Sequence, residues 1–342
     1  MARKKSPKEE EELLKEAESA LGGALPAEYS PHLRDLCRGA VRGGDLRSFA
    51  TPREWAEWLS CCTVLLDEKD YLSATVHALE RAPGYAATDY GTARRRDLGQ
   101  RWTDAIRGFL GEIAFAKWLR QRWGRSAELD YSAGPLQQFL PTDIKEVNGR
   151  RPKLSLSIKA TKLGGIWLDI HGAQIEHSDI FVLVRVGVTL EHFVAFLKKI
   201  SAIGDKILRR ALELKVISEE DLKRIWEAVP EFSAVPAYIA GFFDKREHRS
   251  KLEDRFAVLW VGGRMGRKVF KITEFMGFWN PKENAYLEKV LQILREQRRP
   301  VPEGAKVEFE GIDEFSRELH FIVSSGLLRR RLEEWQKVLA EL

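Results

Sequence analysis

Residues 141–165, "PTDIKEVNGRRPKLSLSIKATKLGG", decide how the rest of this sequence is interpreted. Two short segments that alternate apolar and polar residues, "TDIKEV" and "KLSLSIKAT", flank the tight, basic turn "NGRRP". Segments of this kind on either side of a turn are typical of the two strands of a β-hairpin. We therefore expect a hairpin in which Asp143, at the start of one strand, lies close to Lys159, near the end of the next.

The alternation in the second strand also predicts which side chains share a face. Side chains two residues apart lie on the same face of a strand. The leucines and the isoleucine of "KLSLSIKA" therefore form one face, and Ser155, Ser157 and Lys159 form the other. Ser157 and Lys159 are thus expected next to each other on the polar face.

The sequence on both sides of this stretch shows the periods of further strands and helices. "DIFVLVRV" (residues 179–186) is almost wholly apolar, which is typical of a central strand buried on both faces. "IWLDI" (166–170) and "AYIAGFFD" (237–244) predict two more strands. Residues 97–123, "DLGQRWTDAIRGFLGEIAFAKWLRQRW", repeat apolar residues at helical spacing and predict one long helix, with Glu112 off the centre of its apolar stripe.

These elements predict an α/β protein with a mixed sheet of about five strands, flanked by helices and extended by helical additions at both ends. Residues 1–97 are expected to form a helical N-terminal region, in which Thr51 caps one helix. Residues 98–250 are expected to form the core that carries the hairpin. Residues 251–342 are expected to form a C-terminal extension of a second hairpin and helices, one of them capped by Asn280.

The bulk composition excludes several classes of protein. The chain has 342 residues, of which 44% are hydrophobic and 31% charged, enough for a large core. No apolar run approaches the roughly 20 residues that span a bilayer, and the N-terminus lacks the apolar centre of a secretory signal. The three cysteines, Cys37, Cys61 and Cys62, form no CxxC pair for zinc. These features predict a protein of the reducing cytoplasm with no membrane partner.

The charge distribution favours a polyanion as the partner. The net charge is +5, and nine basic but only three acidic residues lie between Arg94 and Arg125. Such a run suits contacts with DNA phosphates, although a solvated helix face is an equal alternative. The DNA contacts predicted in this run and in the basic turn are Arg94, Arg95, Arg96, Arg101, Arg150 and Arg151.

A carboxylate beside a lysine in basic surroundings suits phosphodiester hydrolysis. The carboxylate of Asp143 would hold a divalent metal, which lowers the pKa of a bound water and stabilises charge on the phosphate. Lys159 would orient that water or help to deprotonate it, or would neutralise the transition state. Each residue alone is also consistent with an ordinary charged side chain on a strand, so the prediction depends on the two together.

This arrangement resembles the PD-(D/E)xK nuclease superfamily, the fold of many type II restriction endonucleases and Holliday-junction resolvases. Residues 141–143 resemble the proline–aspartate element, and residues 157–159 resemble the (D/E)xK element. "RGFLGEIAFAKWL" resembles the helix that precedes the sheet in this fold and often carries a glutamate after a glycine, here Gly111-Glu112. "HSDIFVLVRV" and "VPAYIAGFFDKREH" resemble the two later core strands, so the resemblance covers residues 100–250.

Two departures from the superfamily pattern bear on the site. A threonine is inserted within the proline–aspartate element, and Ser157 stands where a second carboxylate is usual. Some restriction enzymes with Ser-x-Lys recruit the missing acid from a helix, and the candidates in this sequence are Glu112, Asp169 and Glu176. The resemblance favours Glu112, because its Gly-Glu helix precedes the sheet, and places Glu176 second.

The resemblance therefore implies a catalytic set and a cofactor. Asp143, Lys159 and Glu112 are the expected catalytic residues. The expected metal is Mg2+, with Mn2+ able to substitute. Its expected ligands are Asp143, Glu112 and the backbone carbonyl of Ile158.

The activity implied is metal-dependent endonuclease cleavage of double-stranded DNA, with a type II restriction enzyme as the leading interpretation. Such enzymes usually act as homodimers, and a DNA methyltransferase that protects the same site is implied. A DNA-repair or junction-cutting nuclease is the alternative with the same chemistry. A catalytically decayed DNA-binding module of the same fold is the alternative from another class, which the serine at position 157 makes credible.

Overall fold

The computed structural model describes residues 7–21, 30–81, 97–131, 142–299, 301–302, 304–312, 315 and 318–342. Its helices are α1 (Pro7–Leu21), α2 (Ser30–Gly43), α3 (Pro52–Cys62), α4 (Glu68–Arg81), α5 (Leu98–Trp123), α6 (Leu190–Lys199), α7 (Arg209–Glu213), α8 (Glu219–Ala228), α9 (Arg249–Leu252), α10 (Asn284–Glu296) and α11 (Leu332–Leu339). Its strands are β1 (Thr63–Leu66), β2 (Ala127–Leu129), β3 (Ile144–Val147), β4 (Leu156–Thr161), β5 (Trp167–His171), β6 (Ile180–Val186), β7 (Val235–Asp244), β8 (Val258–Met265), β9 (Val269–Trp279), β10 (Lys306–Phe309) and β11 (His320–Ser324). Within these ranges, no helix is long and apolar enough to cross a membrane. Pro141 and the predicted DNA contacts Arg94, Arg95 and Arg96 lie outside the described residues.

Four strands form the central sheet, in the order β1, β7, β6 and β4. β4 and β6 are parallel, whereas β6 pairs with β7, and β7 with β1, in the antiparallel direction. β6 is buried along its whole length, as the apolar segment "DIFVLVRV" predicts. The α/β class with a mixed sheet is therefore confirmed, but this sheet has four strands rather than about five.

Strand β5 accounts for the difference, because it belongs to a second sheet. It pairs with β11 in the antiparallel direction, and β11 pairs with the long strand β9. β9 also pairs with β8, which confirms the C-terminal hairpin, and with β10. The local pattern of β5 does not reveal this membership, since its partner β11 lies near the C-terminus.

The central sheet lies between two hydrophobic cores, and β6 contributes alternate residues to each. Val182 and Val184 belong to the first core, which joins the N-terminal helices, α5 and part of α11 to the sheet. Phe181 and Leu183 belong to the second core, which contains the second sheet and α10. The regions predicted as 1–97, 98–250 and 251–342 therefore share cores, and the first of them also contributes β1 to the central sheet.

Helix α5 follows the sequence prediction closely at both of its ends. The side chain of Asp97 caps its start by accepting a hydrogen bond from the backbone N–H of Gln100 at 2.7 Å. Gly124 ends it in the left-handed conformation, with φ of 64°, which glycine adopts without steric cost. The helix is therefore fixed in register, and this determines where Glu112 lies.

The turn between β3 and β4 is as tight as expected, but the predicted hairpin is wrong. Asn148 and Gly149 both have positive φ, 51° and 72°, and Val147 and Arg150 exchange two backbone hydrogen bonds across them. Beyond this turn, however, β3 pairs with β2 in a separate small sheet, while β4 pairs with β6. Pro152 has no N–H to offer a ladder.

The residues that follow Pro152 make their hydrogen bonds elsewhere. The backbone N–H of Lys153 donates to the carbonyl of Glu341, and that of Ser155 donates to the carboxylate of Asp179. One backbone hydrogen bond still joins the two strands, from the N–H of Asp143 to the carbonyl of Leu156 at 2.8 Å. That bond lies at the end of the sheet where the candidate site is found.

A buried ion network joins the N-terminal helices, the central sheet and the C-terminal segment. Asp45, which follows α2, is 1% exposed and accepts hydrogen bonds at 2.6 Å from Arg185 of β6 and from the hydroxyl of Ser325. Arg330, fully buried, lies 3.5 Å from the same carboxylate and donates to the backbone carbonyls of Asp45 and Ser325. Because these groups have left water, each depends on the others for its partners.

We expect Asp45→Ala to destabilise the protein by about 3–5 kcal/mol, because it leaves two buried guanidinium groups without their carboxylate. The measurement is the urea unfolding midpoint. Glu57→Ala is the matched control, since it removes a carboxylate that pairs with Arg53 on the surface, and exposed pairs contribute at most about 1 kcal/mol. Equal midpoints for the two variants would contradict the structural role of Asp45.

Candidate active site

Helix α5 approaches β4 closely at Gly111. A Cβ atom at this position would lie 2.7 Å from the Cβ of Ala160 and 3.8 Å from that of Val184. The first distance is shorter than carbon atoms tolerate, so a side chain here would push the helix away from the sheet. Glycine therefore sets the spacing between helix and strand, and it brings the next residue, Glu112, to the strand that carries Lys159.

The carboxylate of Asp143 is held directly by strand β4. Its Oδ2 atom accepts a hydrogen bond from the backbone N–H of Ile158 at 2.5 Å and from the hydroxyl of Ser157 at 3.2 Å. Ser157 is fully buried, and the adjacent Lys159 and Asp143 are partly buried. The serine that departs from the superfamily pattern thus orients the aspartate, although it cannot supply the charge of a second carboxylate.

Thr142 has a structural role that sequence reasoning missed. Its hydroxyl accepts hydrogen bonds from the backbone N–H groups of Leu156 and Ile144, both at 3.2 Å. These contacts fix the start of β3 against the start of β4, immediately before Asp143. The inserted threonine is therefore one of the groups that position the candidate catalytic carboxylate.

The two carboxyl groups of the site, Glu112 and Asp143, are within electrostatic range of each other. Burial raises the pKa of Glu112 well above its ordinary value, the negative charge of Asp143 raises it further, and Lys159 and Arg81 lower it. Burial also raises the pKa of Asp143, while Lys159 and the hydrogen bonds from β4 lower it. The fold therefore keeps two acids close together at a cost in stability, which is typical of functional sites.

Lys159 completes this cluster and is held by a residue that sequence reasoning also missed. Burial lowers the pKa of Lys159, whereas the carboxylates of Asp143, Glu112 and Asp169 raise it. Its Nζ atom donates a hydrogen bond to Oε1 of Gln174 at 2.8 Å. Gln174 lies in a short 3-10 turn after β5, where a lone glutamine gives no specific signal in the sequence.

The three candidates for the missing acid lie in different surroundings. Glu112 is within electrostatic range of Asp143 and Lys159. Asp169 of β5 is within electrostatic range of Lys159, and its Oδ1 atom lies 2.9 Å from Nδ1 of the buried His320. Glu176 is exposed and pairs with Arg255 at 2.7 Å. The structure therefore places Glu112 and Asp169 near the lysine, and Glu176 faces a different partner.

The predicted DNA-contacting arginines that the structure describes lie at two places. Arg101, partly buried, lies on α5 eleven residues before Glu112, which at about 100° per residue puts both on the same side of the helix, about 16 Å apart. Arg150 and Arg151 are exposed beside the tight turn. Their predicted role concerns DNA binding and not chemistry.

The donor set of the site fits a magnesium ion. No group of three or more His, Cys, Asp or Glu side chains is placed to hold a metal in the part of the chain that the structure describes. Magnesium, however, is commonly bound through one or two carboxylates and several waters. Glu112 and Asp143 supply two carboxylates, and their mutual repulsion in a buried setting is what a divalent cation would relieve.

Comparisons of the chain with protein-family models, with curated proteins and with solved structures gave no match. The resemblance to PD-(D/E)xK nucleases therefore stays a prediction from the sequence.

We expect Glu112→Gln to raise the melting temperature of the metal-free protein, because it removes a carboxylate whose pKa is raised by burial and by Asp143. Thermal unfolding in EDTA is the measurement, and each kcal/mol corresponds to about 2–4 °C. Glu176→Gln, at an exposed position, is the matched control and should leave the melting temperature unchanged.

The stability difference between Glu112→Gln and the parent should also change with pH in a defined direction. A carboxyl group with a raised pKa binds more protons in the folded than in the unfolded state, so stability falls as pH rises above the ordinary value of 4.5. The advantage of Glu112→Gln should therefore grow from about pH 4.5 upward and vanish below it. A variant that is equally or less stable at pH 8 would show that Glu112 is not under electrostatic strain.

Proposed function

We propose that this chain is a metal-dependent endonuclease that hydrolyses phosphodiester bonds of double-stranded DNA, with a restriction-endonuclease-like core. One observation carries the proposal. Asp143 and Glu112 come from two separate elements and both act electrostatically on Lys159, and β4 holds the Asp143 carboxylate by two hydrogen bonds. Paired carboxylates beside a lysine are the groups that metal-assisted phosphodiester hydrolysis uses.

The residues would divide the work as follows. Glu112, Asp143 and the backbone carbonyl of Ile158 would hold Mg2+ or Mn2+, which when bound supplies an acidified water and stabilises charge on the phosphate. The hydrogen bonds from Ser157 and Ile158 keep the Asp143 carboxylate fixed, so no reorganisation is needed when the substrate arrives.

Lys159 would act on the attacking water and on the phosphate. Burial lowers the pKa of this amine and the surrounding carboxylates raise it, so its protonation depends on the charge of the whole cluster. In the protonated form, the ammonium group neutralises charge that develops on the phosphate. Gln174 accepts one of its hydrogen bonds and thereby fixes the position of Nζ.

A type II restriction enzyme is the form of this activity that we favour. The chain adds N-terminal helices and a second sheet to the elements that carry the site, and additional segments of this kind suit an enzyme that recognises a DNA sequence. A homodimer with one site per subunit would cut both strands, and a DNA methyltransferase would protect the host's copies of the recognition site. We place the enzyme in the cytoplasm, where its free cysteines would remain reduced.

A DNA-binding module that has lost catalysis is the second candidate. It is favoured by the serine at position 157 and by the two-carboxylate donor set, since no group of three or more metal-ligating side chains occurs among the described residues. The two candidates differ in a single property, which is magnesium-dependent cleavage.

We expect Asp143→Ala and Lys159→Ala to abolish cleavage while DNA binding in EDTA stays nearly unchanged, because both residues act on the metal and the water. Plasmid digestion with Mg2+ measures cleavage. Lys153→Ala, which removes an exposed lysine on the preceding segment, is the control and should cut normally.

The cleavage pattern of the parent protein separates the candidate functions. Discrete bands would support a restriction enzyme, and cuts that depend on DNA structure would support a repair nuclease. Binding without cleavage by the parent protein would support the decayed module instead.

The acid that replaces the missing carboxylate is tested by three amide variants. Glu112→Gln should remove most activity. It should also abolish the stabilisation by Mg2+, which in the parent is about 2.7 kcal/mol at 100 times the dissociation constant and raises the melting temperature. Asp169→Asn should have an intermediate effect, because Asp169 acts on Lys159 from a distance. Glu176→Gln should have little effect. A larger loss in Glu176→Gln than in Glu112→Gln would move the ligand to Glu176.

A further inference from the structure

An open groove of about 920 Å3 begins beside the candidate site. Asp169, Ala160 and Gly108, one turn before Glu112 on α5, form the end that adjoins the site. From there the groove runs between α2, the segment 161–165 that follows β4, and residues 310–312. One of its walls is therefore the segment that follows Lys159 along the chain.

The wall formed by residues 161–165 is held rigidly. A Cβ atom at Gly39 of α2 would lie 2.9 Å from both the Cα of Gly164 and the carbonyl oxygen of Leu163, so helix and segment are in backbone contact. The carbonyl of Gly165 accepts a hydrogen bond from Nε of the buried Arg185 at 2.9 Å. This wall is therefore a preformed surface.

The charges along the groove are unequally compensated. Its acidic side chains all have a basic or histidine partner within 3.2 Å, in the pairs Asp35–Arg38, Asp104–Arg107, Glu310–Arg264 and Asp169–His320. Arg42 of α2 and Lys162 are exposed, and neither has an ion-pair partner among the described residues. The groove therefore presents two uncompensated positive charges next to a site that is rich in carboxylates.

We propose that this groove holds the sugar–phosphate backbone of the DNA strand next to the cleaved bond, with Arg42 and Lys162 as its phosphate contacts; this inference rests on the proposed function. A guanidinium and an ammonium group on a rigid wall suit phosphate oxygens, the first through a planar fork and the second as a point charge. The carboxylates of the site would repel the DNA backbone, whereas the groove cations would attract it. The strand would therefore lie along the groove, and a bound metal would compensate the negative charge where the strand enters the site.

The position of Lys162 strengthens this assignment. It lies three residues after Lys159, which at about 3.3 Å per residue is roughly 10 Å along an extended chain. A contact there would fix the phosphates that flank the scissile one and leave the chemistry to Lys159. The two lysines would then have separable effects, on binding and on catalysis.

The test compares two double variants that lose the same charge. Arg42→Ala/Lys162→Ala removes the groove cations, and Lys15→Ala/Lys337→Ala removes two exposed lysines outside the groove. Binding of a fluorescent DNA duplex is measured by anisotropy in EDTA at several salt concentrations. Each phosphate contact contributes roughly 0.9 to the log–log salt slope. The groove variant should therefore have a slope shallower by about two units than the parent, whereas the control should keep the parent slope.

Cleavage assays separate this inference from the proposed function. The groove variant should have a raised KM and a nearly unchanged kcat with Mg2+, in contrast to Lys159→Ala. Equal slopes for the two double variants would overturn the groove assignment and leave the nuclease proposal standing. A parent protein that binds DNA with the expected slopes but never cuts would overturn the nuclease proposal alone. If a nucleoside monophosphate binds the parent and only that binding is lost in the groove variant, the groove is a small-anion site and the assignment is wrong.

Discussion

Asp45 is a carboxylate enclosed between two arginines, and the arrangement of the whole molecule depends on it. Arg185 comes from the centre of the main sheet and Arg330 from the segment before the last helix. An unpaired buried charge is strongly destabilising. These segments and the N-terminal helices must therefore come together in the one geometry that pairs all three charges. Arg185 also holds the carbonyl of Gly165, in the segment that follows Lys159. The ion network and the candidate site are therefore joined through one side chain.

Asp45 of the ion network and Glu112 of the candidate site are both carboxyl groups, but their surroundings shift their pKa values in opposite directions. Burial tends to raise the pKa of Asp45, but Arg185 and Arg330 overcome it and hold that pKa below its ordinary value. At Glu112, burial and a neighbouring carboxylate both raise the pKa. The first carboxylate stabilises the fold as an ion, whereas the second is kept in a setting that disfavours its charge. A fold retains such a setting where a ligand or a reaction requires it.

Local patterns in the sequence predicted the elements, and they failed where partners are distant. Thr51 caps its helix by accepting a hydrogen bond from the backbone N–H of the third residue on, as the pattern predicts. Asn280 does not cap α10, which begins at Asn284 after Glu283, because its side chain forms a turn with the N–H of Lys282. The same limit applies to the site. The pairing of β5 with β11 and the hydrogen bond between Gln174 and Lys159 depend on segments that meet only in the folded chain.

The sequence nevertheless contains one signal of these long-range contacts, which is glycine within a helix. Glycine within a helix costs roughly 1 kcal/mol relative to alanine, so a helical glycine usually has a packing reason. Gly111 of α5 meets Ala160, and Gly39 of α2 meets Gly164, one and five residues after Lys159 along the chain. Both helices are therefore less stable than they would be with alanine at these positions, and these positions are where each helix contacts the segment that carries the lysine. Close approach at Ala160 sets the distance between Glu112 and β4, and close approach at Gly164 fixes a wall of the groove. The proposed chemistry depends on both.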